Sequence, residues 1–166
     1  MGIRADQLLR EVIKPTLEYL QVGSAGAEAL LLGTAAHESL MGTYLVQERG
    51  PALGIYQMEP RTHEDLWNNW MIQPHRRGLA ARIRRLVRAE EIRPNPRWMV
   101  NDLKYATALA RAHYLRVPAP LPRAGDIEGL AAYWKKHYNT KEGAGTEAQF
   151  LRHYTQYVEP YVRFLT

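Results

Sequence analysis

The 166-residue sequence contains no cysteine, and this absence excludes disulfide bridges, cysteine-ligated metal sites and thiol nucleophiles. It also lacks any run of about 18 consecutive apolar residues, so we expect no membrane-spanning helix. Charged side chains interrupt the apolar residues between positions 1 and 20, which argues against a signal peptide. We therefore expect the protein to be made in the cytoplasm, and any action outside it would need a separate route of delivery.

Sequence motifs for metal ions and for bound phosphate groups are missing as well. His37-Glu38 is not followed by a second histidine, because Met41 stands four residues after His37, so the zinc-protease motif is absent. Gly143-Ala144-Gly145-Thr146 follows a predicted helix rather than a strand, which favours a loop between helices over a phosphate-binding loop. We expect neither a metal ion nor an organic cofactor.

Basic residues outnumber acidic ones by 22 to 17, which gives a net charge of +5. Such a balance favours an anionic partner, which could be nucleic acid, a membrane surface or the acidic polymers of a bacterial envelope. Six arginines fall in one short segment: Arg76, Arg77, Arg82, Arg84, Arg85 and Arg88. They form either a solvated helix face or a basic patch for such a partner. Since no known nucleic-acid-binding motif accompanies them, we do not expect nucleic acid to be the partner.

Apolar residues recur at helical spacing along most of the chain, which predicts an all-α protein of about seven helices. The length suits one domain over residues 1–166. We expect an N-terminal helix within residues 1–22, with a break or kink at Pro15, and a C-terminal helix over 146–166, both packed on the rest. The other predicted helices cover 26–39, 60–70, 75–91, 97–115 and 126–138. Glycines and prolines predict a short irregular or hairpin segment near residues 42–58.

Glu38 lies at the end of the predicted helix over residues 26–39 and continues its apolar face. Ala27 and Leu31 lie within about 20° of Glu38 around the helix axis. Apolar surroundings and the negative end of the helix dipole both favour the protonated carboxyl group, so we expect its pKa to be raised. A carboxylic acid that stays protonated near neutral pH is the general acid that glycosidic bond cleavage requires. The alternative is a helix-ending glutamate that faces solvent.

The residues that follow Glu38 favour the catalytic interpretation. Ser39 can hydrogen-bond Glu38 or a substrate amide, Gly54 permits a tight turn, and Gln57 offers both a donor and an acceptor to a sugar. The Glu38-Ser39 pair and the turn Gly54-Ile55-Tyr56-Gln57 resemble the core of the lysozyme-like superfamily. Within it, soluble lytic transglycosylases and goose-type lysozymes carry a Glu-Ser pair followed by a Gly-Leu-Met-Gln turn. The resemblance covers roughly residues 28–140.

This resemblance implies a lysozyme-like domain with an active-site cleft. Glu38 would be the general acid and base, and four residues would bind substrate: Ser39, Gly54, Tyr56 and Gln57. A downstream segment, Gly129 to Trp134, resembles the Ala-Tyr-Asn segment of the soluble transglycosylases. It implies that Tyr133 hydrogen-bonds Glu38, although a tyrosine of the core would fit the position equally. Trp134 stands where that family has Asn, and Asn139 is one candidate for the role of that Asn.

Glu59 bears on which of two reactions the resemblance implies. Lytic transglycosylases use a single glutamate, and the 6-hydroxyl of the sugar attacks the anomeric carbon to give an anhydro product. Goose-type lysozymes hydrolyse with inversion and use an Asp just after the glutamine turn, where this sequence has Glu59. Glu59 is therefore either a second catalytic carboxylate or the acidic residue at the start of the next helix. The segment around Tyr133 favours the lyase.

Residues 37–60 and 133–140 look like phage and prophage members of the superfamily. The resemblance implies an enzyme that cleaves the β-1,4 bond between N-acetylmuramic acid and N-acetylglucosamine in peptidoglycan. It would act in the periplasm or cell wall, during phage lysis or as a virion-associated enzyme of entry. Its partners would be glycan strands and phage virion or tail proteins. Two alternatives stay open: a non-catalytic virion module that binds the wall, and a helical protein associated with nucleic acid.

Overall fold

The computed structural model describes residues 2–88, 93–139 and 143–164. These residues are mostly helical and contain no strand, so the predicted all-α class is confirmed. The α-helices are α1 (Ala5–Leu8), α2 (Lys14–Leu20), α3 (Ala25–Ser39), α4 (Pro60–Asp65), α5 (Arg77–Leu86), α6 (Trp98–Asn101), α7 (Leu103–Leu115), α8 (Ile127–Trp134) and α9 (Glu147–Tyr157). Within the described ranges, no helix has the length and apolar character needed to cross a membrane.

The sequence predicts a break or kink of the N-terminal helix at Pro15. Instead of breaking, the chain continues from α1 through a π-helical turn, Leu9–Ile13, into α2. Proline has no N–H group to donate to the carbonyl four residues earlier, and the wider turn just before it accommodates the missing bond. The helix ends at Leu20, and the next residue, Gln21, has a left-handed φ of 60°. The π-helical turn and α2 both pack on α7.

α3 carries Glu38 close to its C-terminal end. Ser24 begins the helix as predicted, because its side chain accepts a hydrogen bond from the Ala27 N–H group. Residues 29–36 are all buried, which is typical of a helix surrounded by other elements. α8 and α9 pack against α3, and Gly33 lets the ring of Phe150 on α9 approach the helix backbone closely. This packing holds the end of α3 in one orientation.

The segment between α3 and α4 is a loop with two isolated antiparallel bridges, Val46 to Leu53 and Leu53 to Met58. It has the hairpin-like character that the sequence predicts for residues 42–58, and we call residues 42–58 the hairpin segment. Gly54 allows its tightest turn, with a φ of +77° and a backbone so close to the carbonyl of Met99 that a Cβ atom would collide. The hairpin segment therefore packs directly on α6.

Two of the predicted helices are shorter than expected for local reasons. The helix predicted over 97–115 is divided at Asp102, whose extended backbone lets its side chain accept a hydrogen bond from Tyr105 N and cap α7. The last helix was expected to continue to the C-terminus but ends at Tyr157. Pro160 lacks a donor for a further turn and restricts the residue before it.

Short helical segments of other types extend three of the elements. π-helical turns over Leu66–Trp70 and Lys135–Asn139 continue α4 and α8, and a 3₁₀ helix over Pro74–Arg76 precedes α5. The helix predicted over 75–91 begins as expected, but its α-helical part ends at Leu86. Its predicted end at Glu91 lies outside the described residues. The turn after α8 is the one that matters for the site, because it places further polar side chains beside α3.

Candidate active site

A cleft of about 790 Å³ opens beside the C-terminal end of α3. Its walls come from the hairpin segment, the start of α4, α7, the π-helical turn after α8 and the loop before α9. Glu38, Gln57 and Glu59 line this cleft, so the fold brings together three of the residues singled out from the sequence. Ser39, Gly54, Tyr56 and Tyr133 are not among its lining residues.

Glu38 is a half-buried carboxylic acid in the wall of the cleft. Burial raises the pKa of its carboxyl group to about 7, while a hydrogen bond from Trp134 acts in the opposite direction. In that bond, Trp134 Nε1 donates to Glu38 Oε1 over 2.9 Å. Loss of hydration penalises the carboxylate more than one donor stabilises it, so much of the population is protonated near neutral pH. The alternative of a solvent-facing glutamate is not what the structure shows.

The partner of Glu38 is Trp134, whereas the resemblance implied Tyr133. The hydroxyl of Tyr133 donates to the carbonyl of Ala119 over 3.0 Å and is thus engaged away from the carboxyl group. Successive side chains on a helix differ by about 100° in direction, so α8 can turn only one of the two towards α3. Trp134 is completely buried, and its ring packs against His37 and Phe150 at centroid distances of 4.3 and 5.3 Å.

Ser39 anchors the hairpin segment to α3 rather than contacting Glu38 or a substrate. Its hydroxyl is fully buried, donates to the carbonyl of Ile55 over 2.6 Å and accepts from Gly42 N over 2.8 Å. Both ends of the hairpin segment are thereby tied to the helix that carries Glu38. Ser39 was expected to touch substrate, and this expectation is wrong because its hydroxyl is enclosed by backbone.

Tyr56 and Gly54 also hold the hairpin segment in place, and neither lines the cleft. The Tyr56 side chain is buried, and its hydroxyl lies 3.0 Å from Thr107 Oγ1 on α7, so it does not form the substrate contact expected of it. Its backbone carbonyl accepts a hydrogen bond from the Tyr138 hydroxyl over 2.7 Å. Gly54 contributes a turn and a carbonyl that accepts from Gln57 Nε2 over 2.8 Å.

Gln57 and Glu59 are the predicted residues that face the cleft from the hairpin side. Gln57 is half-buried and has a left-handed φ of 46°. Its side-chain Nε2 donates to the Gly54 carbonyl, and its amide oxygen takes no part in that bond. Glu59 is exposed and directly precedes α4, where its side chain makes no capping hydrogen bond. It both lines the cleft and stands at a helix N-terminus, so its position does not distinguish the two interpretations.

Sequence reasoning assigned no role to two tyrosines of the cleft, Tyr44 and Tyr138. Tyr44 donates from its hydroxyl to the backbone carbonyl of Glu38 over 2.9 Å. Tyr138 lines the opposite wall, four residues after Trp134, and Asn139 beside it accepts a hydrogen bond from Lys135 Nζ over 2.8 Å. The helical spacing of Trp134 and Tyr138 was the available signal, because side chains four residues apart share one helix face.

The histidines near the site are neutral near pH 7. Burial is the main cause that lowers the pKa of His37 and of His113 to about 4, and both residues line the cleft. His113 is fixed by two polar contacts, with the carbonyl of His137 at 3.1 Å and with Arg116 Nη2 at 2.7 Å. No group of three or more histidine, aspartate or glutamate side chains that could hold a metal ion occurs among the described residues.

None of the six arginines of the segment lines the cleft. Arg76 and Arg84 lie over the rings of Trp70 and Trp67, at 4.1 and 4.8 Å from the ring centroids. Arg82 donates to the backbone carbonyl of Leu20 over 3.2 Å. These three arginines therefore have contacts within the fold, which favours a structural role for half of the segment.

Comparisons with known protein families, curated proteins and solved structures find no match to this chain.

Proposed function

We propose that this protein cleaves the β-1,4 glycosidic bond between N-acetylmuramic acid and N-acetylglucosamine in peptidoglycan, with Glu38 as the general acid. The observation that carries the proposal is the position of the Glu38 carboxyl group, which is half-buried in the wall of a cleft and oriented by Trp134. A pKa of about 7 leaves the group able both to give and to take a proton near neutral pH. An exposed glutamate with an ordinary pKa would be almost fully ionised there.

The cleft has the size and the polar groups that a short stretch of glycan needs. Its volume of about 790 Å³ lies within the range usual for ligand sites. Gln57, Asn139 and Thr62 line it and provide amide and hydroxyl groups for sugar hydroxyls and N-acetyl groups. In the first step Glu38 would protonate the departing glycosidic oxygen, and in the second the resulting carboxylate would accept a proton from the attacking group.

The attacking group defines the reaction. In a lytic transglycosylase it is the 6-hydroxyl of the same sugar, with Glu38 as the single carboxylate, and this is the reaction that we propose. A hydrolytic muramidase is a second candidate, because Glu59 lines the same cleft as Glu38. As a second carboxylate it would activate water on the opposite face of the sugar, as inverting glycosidases do.

The test is digestion of purified bacterial sacculi by the protein and by its Glu38→Gln variant, followed by mass spectrometry of the soluble products. We expect fragments ending in 1,6-anhydro-muramic acid from the wild type and none from the variant. Gln keeps the acceptor for Trp134 but cannot supply a proton. Release of the same products by a folded Glu38→Gln variant would refute the proposed acid.

A second pair of variants separates the two reactions. Reducing-end products that disappear in Glu59→Gln would identify a muramidase, whereas a lyase should keep its anhydro products in that variant. Glu64→Gln is the matched control, since Glu64 is also exposed on α4 but does not line the cleft. No product from sacculi of several bacterial types would favour the non-catalytic, wall-binding module instead.

We also propose that the protein reaches its substrate as part of a phage system, by release during lysis or within a virion. This part rests on the resemblance of residues 37–60 and 133–140 to phage members of the superfamily. The partners would then be glycan strands and virion or tail proteins. Detection of the protein in purified virions by mass spectrometry would support the entry role, and its absence from them would favour lysis.

A further inference from the structure

We propose that Trp134 is a positioning residue that directs the proton of the Glu38 carboxyl group to Oε2, the oxygen that the indole does not contact. The inference deepens the proposed function and rests on it for its catalytic meaning, because it names the group that orients the general acid. The proposal itself concerns only the protonation of Glu38, and that protonation can be measured without a substrate.

The hydrogen bond determines which oxygen carries the proton. Trp134 Nε1 lies 2.9 Å from Glu38 Oε1, and an indole N–H group can only donate. Oε1 must therefore be an acceptor whether the carboxyl group is ionised or protonated. In the protonated form the carbonyl oxygen is the better acceptor, so the hydroxyl belongs on Oε2. Within the described part of the chain, this is the one hydrogen bond that the Glu38 carboxyl group makes.

The indole cannot easily leave this position. Trp134 is fully buried between His37 and Phe150, with ring centroids 4.3 and 5.3 Å away. Gly145 closes the stack from the other side, because a Cβ atom there would lie 2.8 Å from both the indole and His37 Nε2. The donor is thus held by packing that is independent of Glu38, and the carboxyl group has to align with it.

Few other charges near Glu38 change over the relevant pH range. The titratable groups that face it or share its cleft come from α3, α7, the hairpin segment, the turn after α8 and the start of α4: His37, His113, Tyr114, Tyr44, Tyr138 and Glu59. Burial lowers the pKa of both histidines to about 4 and raises that of the three tyrosines, so these groups stay neutral. The Trp134 variants are therefore also made in a Glu59→Gln protein, which removes the Glu59 carboxyl group from the cleft.

Titration of Glu38 tests the proposal directly. Trp134→Phe removes the donor, and a second variant carries benzothienylalanine at position 134, where a sulfur atom replaces the N–H group in a ring of almost the same shape. The pKa of Glu38 is read from the carboxyl ¹³C signal that is missing in Glu38→Gln. A donor to Oε1 stabilises the anion, so we expect the pKa to rise by about one pH unit in both variants. An unchanged or lower pKa in the benzothienylalanine variant would overturn the proposal.

Phe150→Leu is the matched control for packing. Phe150 belongs to the same aromatic stack but gives no hydrogen bond to Glu38. Its truncation should lower the melting temperature and leave the pKa of Glu38 unchanged. If Phe150→Leu raises that pKa as much as loss of the donor does, burial rather than the indole N–H group controls Glu38, and the proposal fails.

The catalytic consequence is measured separately on sacculi. In the benzothienylalanine variant we expect the alkaline limb of the kcat/KM profile to move to higher pH, together with a lower kcat, since the proton is no longer directed to one oxygen. An active variant with an unchanged alkaline limb would count against the positioning role. A wild-type protein without activity would refute the proposed function, while the titration would still decide whether Trp134 controls Glu38.

Discussion

Burial makes the charge of Glu38 a property of the folded state. Its ordinary pKa of 4.5 is raised to about 7, so the folded protein holds a proton that the unfolded chain releases between these values. The stability that this proton contributes is complete below about pH 4.5 and is lost as the pH rises through about 7. The shift corresponds to at most about 3 kcal/mol of unfolding free energy.

We therefore expect Glu38→Gln to be more stable than the wild type at pH 8 and similar to it near pH 4.5. The neutral amide keeps an acceptor for Trp134 and has no charge to bury. Urea unfolding of both proteins at the two pH values measures the difference. A stability difference that is the same at both pH values would show that the Glu38 pKa is not raised. Glu64→Gln should show no such pH dependence, because Glu64 is exposed.

The hydroxyl group of Ser39 attaches the hairpin segment to α3 through two hydrogen bonds. Ser39→Ala leaves the Ile55 carbonyl and the Gly42 N–H group without the partners they have in the fold. Unpaired buried groups cost about 1–3 kcal/mol each, so for the two groups we expect a loss of about 2–6 kcal/mol in the free energy of unfolding. Denaturant unfolding measures it. Thr43→Ala is the control: the Thr43 hydroxyl donates to Leu40 in an exposed position, and its loss should cost much less.

At the scale of the element, the hairpin segment owes its close approach to α6 to Gly54. An alanine there would need a left-handed φ and would place its Cβ atom against the Met99 carbonyl. We expect Gly54→Ala to cost about 2 kcal/mol or more in stability and to increase amide hydrogen exchange of residues 42–58. Gly50→Ala is the matched change, since the atoms nearest to its Cβ atom would be the end of the flexible Gln47 side chain rather than backbone. Equal effects of the two substitutions would contradict the role given to Gly54.

At the scale of the whole molecule, three histidines make the free energy of unfolding depend on pH in the direction opposite to that of Glu38. Burial lowers the pKa of His37, His63 and His113 from 6.5 to about 4, so each is neutral in the fold. The stability that the three neutral histidines contribute is complete above about pH 6.5 and is lost as the pH falls towards 4. The loss is up to about 3 kcal/mol of unfolding free energy per histidine. We therefore expect stability to rise from pH 4 to a maximum between about pH 6 and 7.

Urea unfolding between pH 4 and 8 measures this profile. His63→Gln should flatten the acidic limb of this profile. His63 is fully buried beside Tyr105, and the glutamine that replaces it takes up no proton as the pH falls. His75→Gln, a change at an exposed position, should leave the limb unchanged. A stability maximum at or below pH 5 would contradict the expectation.

The helices could be predicted from the sequence because their signals are local. The apolar residues and the Ser24 cap predict α3, and the same helical geometry places Glu38 on its apolar face. The break at Asp102 and the early end of the last helix were missed, although both depend on residues whose capping or helix-stopping tendencies are known. Such signals compete with apolar periodicity, and their outcome depends on how the neighbouring helices pack.

Sequence alone determined the all-α class, the helix beginnings and the candidate acid, since these follow from patterns within a few residues of each other. Tertiary structure decided that Trp134 rather than Tyr133 meets Glu38, that Ser39 and Tyr56 support the hairpin segment, and that Gln57 and Glu59 share a cleft with the acid. Glu38 and its partner Trp134 lie about a hundred positions apart in the chain. Their contact depends on how α8 is rotated about its axis when it packs on α3. No local pattern encodes those distances, so only the packed molecule determines the charge and the partners of Glu38.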